Sequence, residues 1–372
     1  MTPSTNKAAI LSSFTSPLTL ESVPIPSPTP GSAIIKVLAT YIPPYAKNVY
    51  NGTFNFNLPL PLSPGLGAIA RIHALGPDAT SLSPNDLIFF DPTVTSRTDP
   101  QVVLLQGHFE GLHPAGRALM EGAWRHGTLC EYTRVPLENC VRVDEGRLVR
   151  ELGHDAAELA TLFPYFVAAG PLFEVAEVKA GQTVVVGPAT GAYSGAAVEV
   201  AGAMGADVVA LGRNEGKLKK LVERVGRKNV RCVVMSGDDD KDAEALRRAI
   251  PNGVDVYNDW SPGGSDAPIF LKNVGGLLKR GARVVLSGGA MSTSGLSHAI
   301  MVVNDIRMEG KFMYNRTTVK RVFDLVSLGL LEIGERSGTT VRRYKLDDVH
   351  QALDSAEQLG AWKSYVVVTP SN

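Results

Sequence analysis

Cysteine is scarce in this chain: Cys130, Cys140 and Cys232 are the only three in 372 residues, and they lie far apart. Three scattered thiols exclude a disulfide framework and fit a reducing compartment. Neither C-x-x-C nor H-x-x-x-H spacing occurs, so no local zinc site is written into the sequence. An excess of charge of one sign is also missing, because 37 basic residues balance 37 acidic ones. That argues against a nucleic-acid or membrane-surface partner. No uninterrupted apolar run approaches the length of a membrane span, and Met1 to Ile10 lack a signal-peptide core. The expectation is a soluble cytoplasmic protein, long enough for two domains with a core in each.

What is present centres on Thr183 to Leu211. A β-branched run, Thr183-Val184-Val185-Val186, breaks into a glycine-rich turn, and a small-residue helix follows with Ala197, Val200, Ala201 and Met204 at helical spacing. Val208 to Leu211 completes a strand-helix-strand unit of the kind that joins parallel strands. Glycines at 187, 191 and 195 would let backbone approach a diphosphate at the helix N-terminus, where amide groups and the helix dipole favour negative charge. The spacing is Gly187-x-x-x-Gly191-x-x-x-Gly195 rather than G-x-G-x-x-G, so the turn alone is a weak dinucleotide signal. Its context strengthens it. At the end of the second strand, where NAD-binding proteins place an acidic residue for the ribose, this chain reads Gly212-Arg213-Asn214. A guanidinium in that place can grip a 2′-phosphate through several donors, with Lys217 one turn onward adding charge. The cofactor expected is NADP(H).

The chain before this unit reads as short strands. Ala33 to Leu38, Ala68 to Ile72 and Leu87 to Phe90 are strand-like and punctuated by Pro, Ser and Gly, as is Leu129 to Val143. Residues 91–127 show little periodicity, and such a segment could line a substrate cleft. From about Leu159 helices and strands alternate, with strands expected at Val230 to Met235, Val254 to Asn258, Arg283 to Leu286 and Asp305 to Phe312. That rhythm predicts an α/β fold with a doubly wound sheet of about six parallel strands. Thr317 to Leu328 is expected as a helix with a core-facing stripe, and Ser364 to Val368 as a strand rejoining the first lobe.

A β-rich lobe, a mid-chain dinucleotide unit and a return segment, in that order, resemble the medium-chain dehydrogenase/reductase superfamily, in its zinc-independent, quinone-oxidoreductase-like branch. Pro64-Gly65-Leu66-Gly67, Leu75-Gly76 with Asn85-Asp86, Gly127 to Tyr132, the Val184 to Gly195 turn and Gly310 carry the resemblance, which spans nearly the whole chain. It implies a GroES-like catalytic and substrate domain over residues 1–158 and 313–372, and a Rossmann NADP-binding domain over 159–312. Zinc-dependent relatives have Cys-His where this chain has Pro43-Pro44, and Gly-His-Glu where it has Gly65-Leu66-Gly67. Proline and leucine ligate no metal, so no zinc is expected.

The resemblance implies hydride transfer between the nicotinamide and a mostly apolar carbonyl, enone or quinone. Without a Lewis acid, the alkoxide or enolate needs another proton source. Tyr45 stands where zinc-dependent relatives place the hydroxyl of their proton relay, and is the catalytic candidate. Tyr41 and Tyr50 are expected to pack, and Tyr165 to pack between lobes. Phe54, Phe56 and Trp124 are candidates for the substrate wall. Gly191, Ala192, Tyr193 and Ser194 are expected around the diphosphate, and Arg213, Asn214 and Lys217 at the adenosine end. Gly288, Gly289, Met313 and Tyr314 are expected beside the nicotinamide, with Phe312 either there or in the core. His108, His113 and His126 receive no catalytic role. Relatives are often homodimers joined through their Rossmann sheets, and the same is expected here. The Tyr-x-x-x-Lys pair of short-chain dehydrogenases is absent at all ten tyrosines. A second reading keeps the fold and drops the redox step: NADPH bound within a lyase, isomerase or cyclase, or within a non-catalytic binding protein.

Overall fold

Alternation of apolar runs with turn residues gives nine strands before residue 150, described here from a computed structural model covering residues 4–293 and 295–371. They are β1 (Thr5–Ile10), β2 (Thr19–Pro24), β3 (Ser32–Ile42), β4 (Ala68–Leu75), β5 (Leu87–Phe90), β6 (Thr93–Thr95), β7 (Val103–Leu105), β8 (Tyr132–Pro136) and β9 (Cys140–Arg142). Then follow β10 (Thr183–Gly187), β11 (Asp207–Gly212), β12 (Val230–Val234), β13 (Val254–Asp259), β14 (Leu278–Leu286) and β15 (Arg307–Gly310), and finally β16 (Thr340–Lys345) and β17 (Ser364–Thr369).

The chain divides into two compact units, Met1–Phe163 with Ile333–Gly360 and Ser364–Asn372, and Pro164–Glu332 with Ala361–Lys363. In the first, a seven-stranded sheet runs β16-β17-β3-β4-β5-β9, with β8 also paired to β3. β17 pairs antiparallel with β3, so the C-terminal strand joins the N-terminal lobe. The segment 91–127 is more regular than its sequence suggests: it holds β6, β7 and a helix, Pro114–Gly122, which the side chain of His113 caps by accepting the Ala115 N–H at 3.1 Å. Proline in the first turn and this cap start a helix that apolar periodicity hardly marks.

In the second unit, β10 to β15 form one sheet in the order β12-β11-β10-β13-β14-β15, and every neighbouring pair is parallel. Val184, Val185 and Val186 of β10 are fully buried, as a strand covered on both faces requires. The strand order reverses between β10 and β13. In such sheets ligands bind at that switch point, outside the carboxyl ends of the strands.

Both junctions lie elsewhere than 158/159 and 312/313. Phe163 stays with the first unit, stacking on Tyr41 at 5.8 Å between ring centroids. The Arg316–Ser327 helix stays with the second: its Val319, Val322, Phe323 and Val326 are buried, and Phe323 packs on Phe166 at 5.3 Å. The excursion of Ala361–Lys363 into the second unit has no counterpart in the sequence reading. One helical stretch, Ala156–Val175, is long and apolar enough to cross a membrane by length and composition. Its most apolar window is 83% buried in the protein, as in a core helix.

Candidate active site

Because β10 to β15 are all parallel, their carboxyl ends share one edge of the sheet, and the residues expected to hold the cofactor follow those ends one after another. Gly191 to Ser194 follow β10, Arg213 to Lys217 follow β11, Gly288 and Gly289 follow β14, and Met313 and Tyr314 follow β15. Gly191 is the N-cap of the Ala192–Ala203 helix, and the Gly195 N–H donates the helix's first bond to the Gly191 carbonyl at 2.9 Å. The amides of the first turn precede that bond, which is the arrangement that receives an anion. A β-carbon on Gly191 would meet only Ser194 Oγ, at 3.3 Å, so Gly191 is uncrowded on that side. The residues fit a diphosphate.

Two glycines of the motif have other work. A β-carbon on Gly195 would lie 2.4 Å from Cβ and Cγ of Trp362, and one on Gly187 would lie 3.0 Å from the Phe270 ring. Glycine is needed at 195 for the indole, where the sequence suggested a diphosphate. Ser194 is buried, and its Oγ accepts the Gly191 N–H at 3.0 Å, so this hydroxyl braces the turn.

Arg213 and Lys217 are exposed, and neither enters an ion pair among the described residues. Asn214 caps the Glu215–Val225 helix, its Oδ1 accepting the Lys217 N–H at 2.9 Å. Gly288 packs on backbone: its β-carbon would meet the carbonyl oxygen of Ser261 at 2.2 Å, and the Gly289 N–H donates to that same oxygen at 2.7 Å. Met313 and Tyr314 are buried, Met313 with φ at +54°, a conformation rare for a side-chain-bearing residue. Glu174 anchors this segment, pairing with Lys311 Nζ at 2.6 Å and accepting the Asn315 N–H at 2.8 Å and the Thr318 hydroxyl at 2.6 Å. Phe312 is 56% exposed and so is not a core residue.

In the first unit the proline pair 43–44 leads into Tyr45, which begins a one-turn helix, Ala46–Tyr50. The Tyr45 ring is half-buried, 6.3 Å from Phe54 and 5.8 Å from His108 between centroids. Phe54 and Phe56 lie 6.2 Å apart, and Phe56 meets His108 edge-on at 5.7 Å. Three of the residues singled out from sequence thus come together, two of them against a histidine that was given no role. His108 is fully buried; Tyr50 Oη lies 3.3 Å from its Nδ1, and its Nε2 has no hydrogen-bond partner. Burial pushes its imidazole down to about 3, so the ring is neutral. Trp124 is buried in a core with Val94, Leu104 and Met120, against which Tyr45 and Phe56 also pack, so it is a core residue more than an open wall. His126 Nδ1 accepts the Ser63 N–H at 3.1 Å.

Residues 29–145 match the family model of the alcohol dehydrogenase GroES-like domain, and residues 194–327 that of the zinc-binding dehydrogenase. A quinone oxidoreductase of Lama guanicoe is 24% identical over 335 residues, 89% of this chain and 86% of that one. The chain belongs to the medium-chain dehydrogenase/reductase superfamily, and is quinone-oxidoreductase-like within it. The Bacillus subtilis (strain 168) protein named "Putative NADP-dependent oxidoreductase YfmJ" is 25% identical over 75% of this superfamily member and 68% of its own chain. Among solved structures, a Sinorhizobium meliloti 1021 protein described as a "putative zinc-binding dehydrogenase", bound to NADP, superposes with a TM-score of 0.76 at 23% identity, covering 99% of this chain and all of its own. An alcohol dehydrogenase (rspB) of E. coli CFT073, complexed with NADH, gives 0.77 at 18% identity over 99% and 100%.

Other residues of this superfamily member lie beside the candidate site without being announced by its sequence. Trp260 follows β13 directly, on the ligand edge of the sheet, and asking which residue succeeds each parallel strand would have found it. Asp259, the last residue of β13, is buried and accepts the Ser261 hydroxyl at 2.7 Å; burial raises its carboxyl. Ala361 bridges to Gly191, bringing Trp362 against Gly195, and Lys363 reaches Glu199 on the same helix. No local pattern marks these three residues, since what they touch lies some 170 positions earlier.

Proposed function

We propose that this protein is an NADPH-dependent, zinc-independent oxidoreductase that transfers a hydride between the nicotinamide and a mostly apolar carbonyl, enone or quinone. The observation that carries the reading is the exposed Arg213 at the carboxyl end of β11, on the edge that also presents the uncrowded Gly191. A guanidinium there binds a 2′-phosphate through charge-assisted hydrogen bonds, with Lys217 adding charge. First-turn amides of the Ala192–Ala203 helix take the diphosphate. The Gly288–Gly289 and Met313–Tyr314 segments, on the far side of the switch point, hold the nicotinamide half. The cofactor, when bound, supplies the hydride.

Tyr45 Oη is the proposed proton donor to the oxygen that becomes negative on reduction, and Phe54 and Phe56 are proposed to give the substrate an apolar surface. Pro43, Pro44 and Leu66 stand at the positions that ligate catalytic zinc in zinc-dependent relatives, and none of them can bind a metal. The names of the relatives, quinone oxidoreductase and NADP-dependent oxidoreductase, support this reading. The three cysteines are free thiols, which suits the cytoplasm.

The protein is further proposed to be a homodimer through β15, the edge strand of the six-stranded sheet. Its backbone edge is available for pairing, and Val302 and Val303, on the helix just before it, are 62% and 68% exposed. A monomer in sedimentation velocity would overturn this.

The functional reading is tested by titrating metal-free protein with NADPH and NADH, then offering aldehydes, ketones, enones and quinones while nicotinamide absorbance is followed. Preferential NADPH binding with substrate-dependent oxidation is expected. Tight binding with no oxidation across the panel would refute the redox role.

A further inference from the structure

The indole of Trp260 and the ring of Tyr193 lie parallel, with 8° between their planes and 6.2 Å between centroids. That separation belongs to an offset stacked pair. Their positions give the pair meaning. Tyr193 sits in the first turn of the Ala192–Ala203 helix that follows β10 and Trp260 directly after β13, so the two residues flank the point where the strand order reverses.

Trp260 is held through both of its N–H groups. Its backbone N–H donates to the Gly187 carbonyl at 2.9 Å, and its Nε1 donates to Asn258 Oδ1 at 2.7 Å. Asn258 is fixed in turn by its own Nδ2, which donates to Ser287 Oγ at 3.0 Å and to the Val285 carbonyl at 3.2 Å. With its N–H satisfied inside the protein, the indole has only its aromatic surface left to offer a ligand, and it is half-buried, so part of that surface remains open. Gly288 is bare because the Trp260–Ser261 peptide lies against it, which locks the loop that carries the ring.

A dinucleotide laid along this edge has a direction. Arg213, after β11, takes the adenosine end, and the diphosphate crosses at Gly191 after β10. The next strand in order is β13, and its first following residue is Trp260. We propose that Trp260, backed by Tyr193, is the surface on which the nicotinamide half of the cofactor lies. The inference rests on the NADPH reading above and adds to it a residue that orients the reacting end.

The test separates the two halves of the cofactor. Wild type, Trp260→Leu and Trp260→Phe would be titrated calorimetrically with NADPH and with 2′,5′-ADP, which carries the adenosine end alone. Stacking of this kind is worth roughly a tenfold change in affinity. Trp260→Leu is expected to weaken NADPH about tenfold and leave 2′,5′-ADP unchanged, and Trp260→Phe, which keeps an aromatic face, to recover most of the loss. Equal losses for both ligands would show that Trp260 only supports the fold and would overturn the inference, as would unchanged NADPH affinity in Trp260→Leu. Failure of wild type to bind 2′,5′-ADP would instead remove the NADPH reading itself.

Discussion

Lys363 Nζ lies 3.2 Å from Glu199 Oε1, and both side chains are almost wholly buried. Tyr165 donates its hydroxyl to the other carboxylate oxygen at 2.8 Å, so the tyrosine expected to pack by its ring is also a hydrogen-bond donor. Burial raises the Glu199 carboxyl, while the lysine and the tyrosine oppose that shift. The pair fastens Ala361–Lys363 to the Ala192–Ala203 helix, two turns beyond the glycine turn that Trp362 and Ala361 touch.

Removing one partner strands the other charge away from water. Lys363→Met is therefore expected to lower stability by about 3 kcal/mol, and the double variant Glu199→Gln, Lys363→Met to recover most of it. Urea unfolding of the three proteins measures this, and a double variant as unstable as the single one would show that the pair is not what holds the segment.

Arg213→Ala should weaken NADPH roughly tenfold or more, since a charge-assisted bond to a dianion is lost, and leave NADH affinity within twofold. Arg213 makes no ion pair among the described residues, so its loss leaves no other charge uncompensated. Fluorescence titration with both nucleotides decides it; equal losses would end the 2′-phosphate role.

Tyr45→Phe keeps the ring contacts with Phe54 and His108 and removes only the hydroxyl. Cofactor affinity should stay near wild type while turnover falls about a hundredfold or more, the usual worth of a positioned acid. Unchanged turnover would remove Tyr45 as the proton donor.

His108 makes stability depend on pH. The unfolded imidazole titrates near its ordinary value of about 6.5, whereas the native one does so only at about 3. Between those values the unfolded chain holds a proton that the native protein does not, so stability falls as pH drops through this window. On going from pH 7 to pH 5 the cost is about 2 kcal/mol. His108→Phe should lose stability less steeply over that interval by this amount; parallel curves in urea unfolding would show that His108 takes its proton in the native state as well.

The sequence by itself determined the two-part architecture and the order in which the candidate cofactor residues follow the parallel strands. Three successive buried valines, a glycine turn and a small-residue helix are local instructions, and parallel strands deliver whatever follows each of them to one edge. That is why Gly191 and Arg213 could be placed after their strands from order alone, while Gly288 and Met313 came from the family resemblance. Tertiary structure decided which of these residues are packed against distant parts of the fold. Gly195 reads as a phosphate glycine until Trp362, far along the chain, is found against it, and the close approach of the Trp260–Ser261 peptide to Gly288 was likewise invisible in the sequence. The packing of Tyr45 and Phe56 against His108, and the burial of Trp124, were equally beyond the sequence. Periodicity records which face of an element is apolar, but it carries no information about which distant side chain will fill the space opposite.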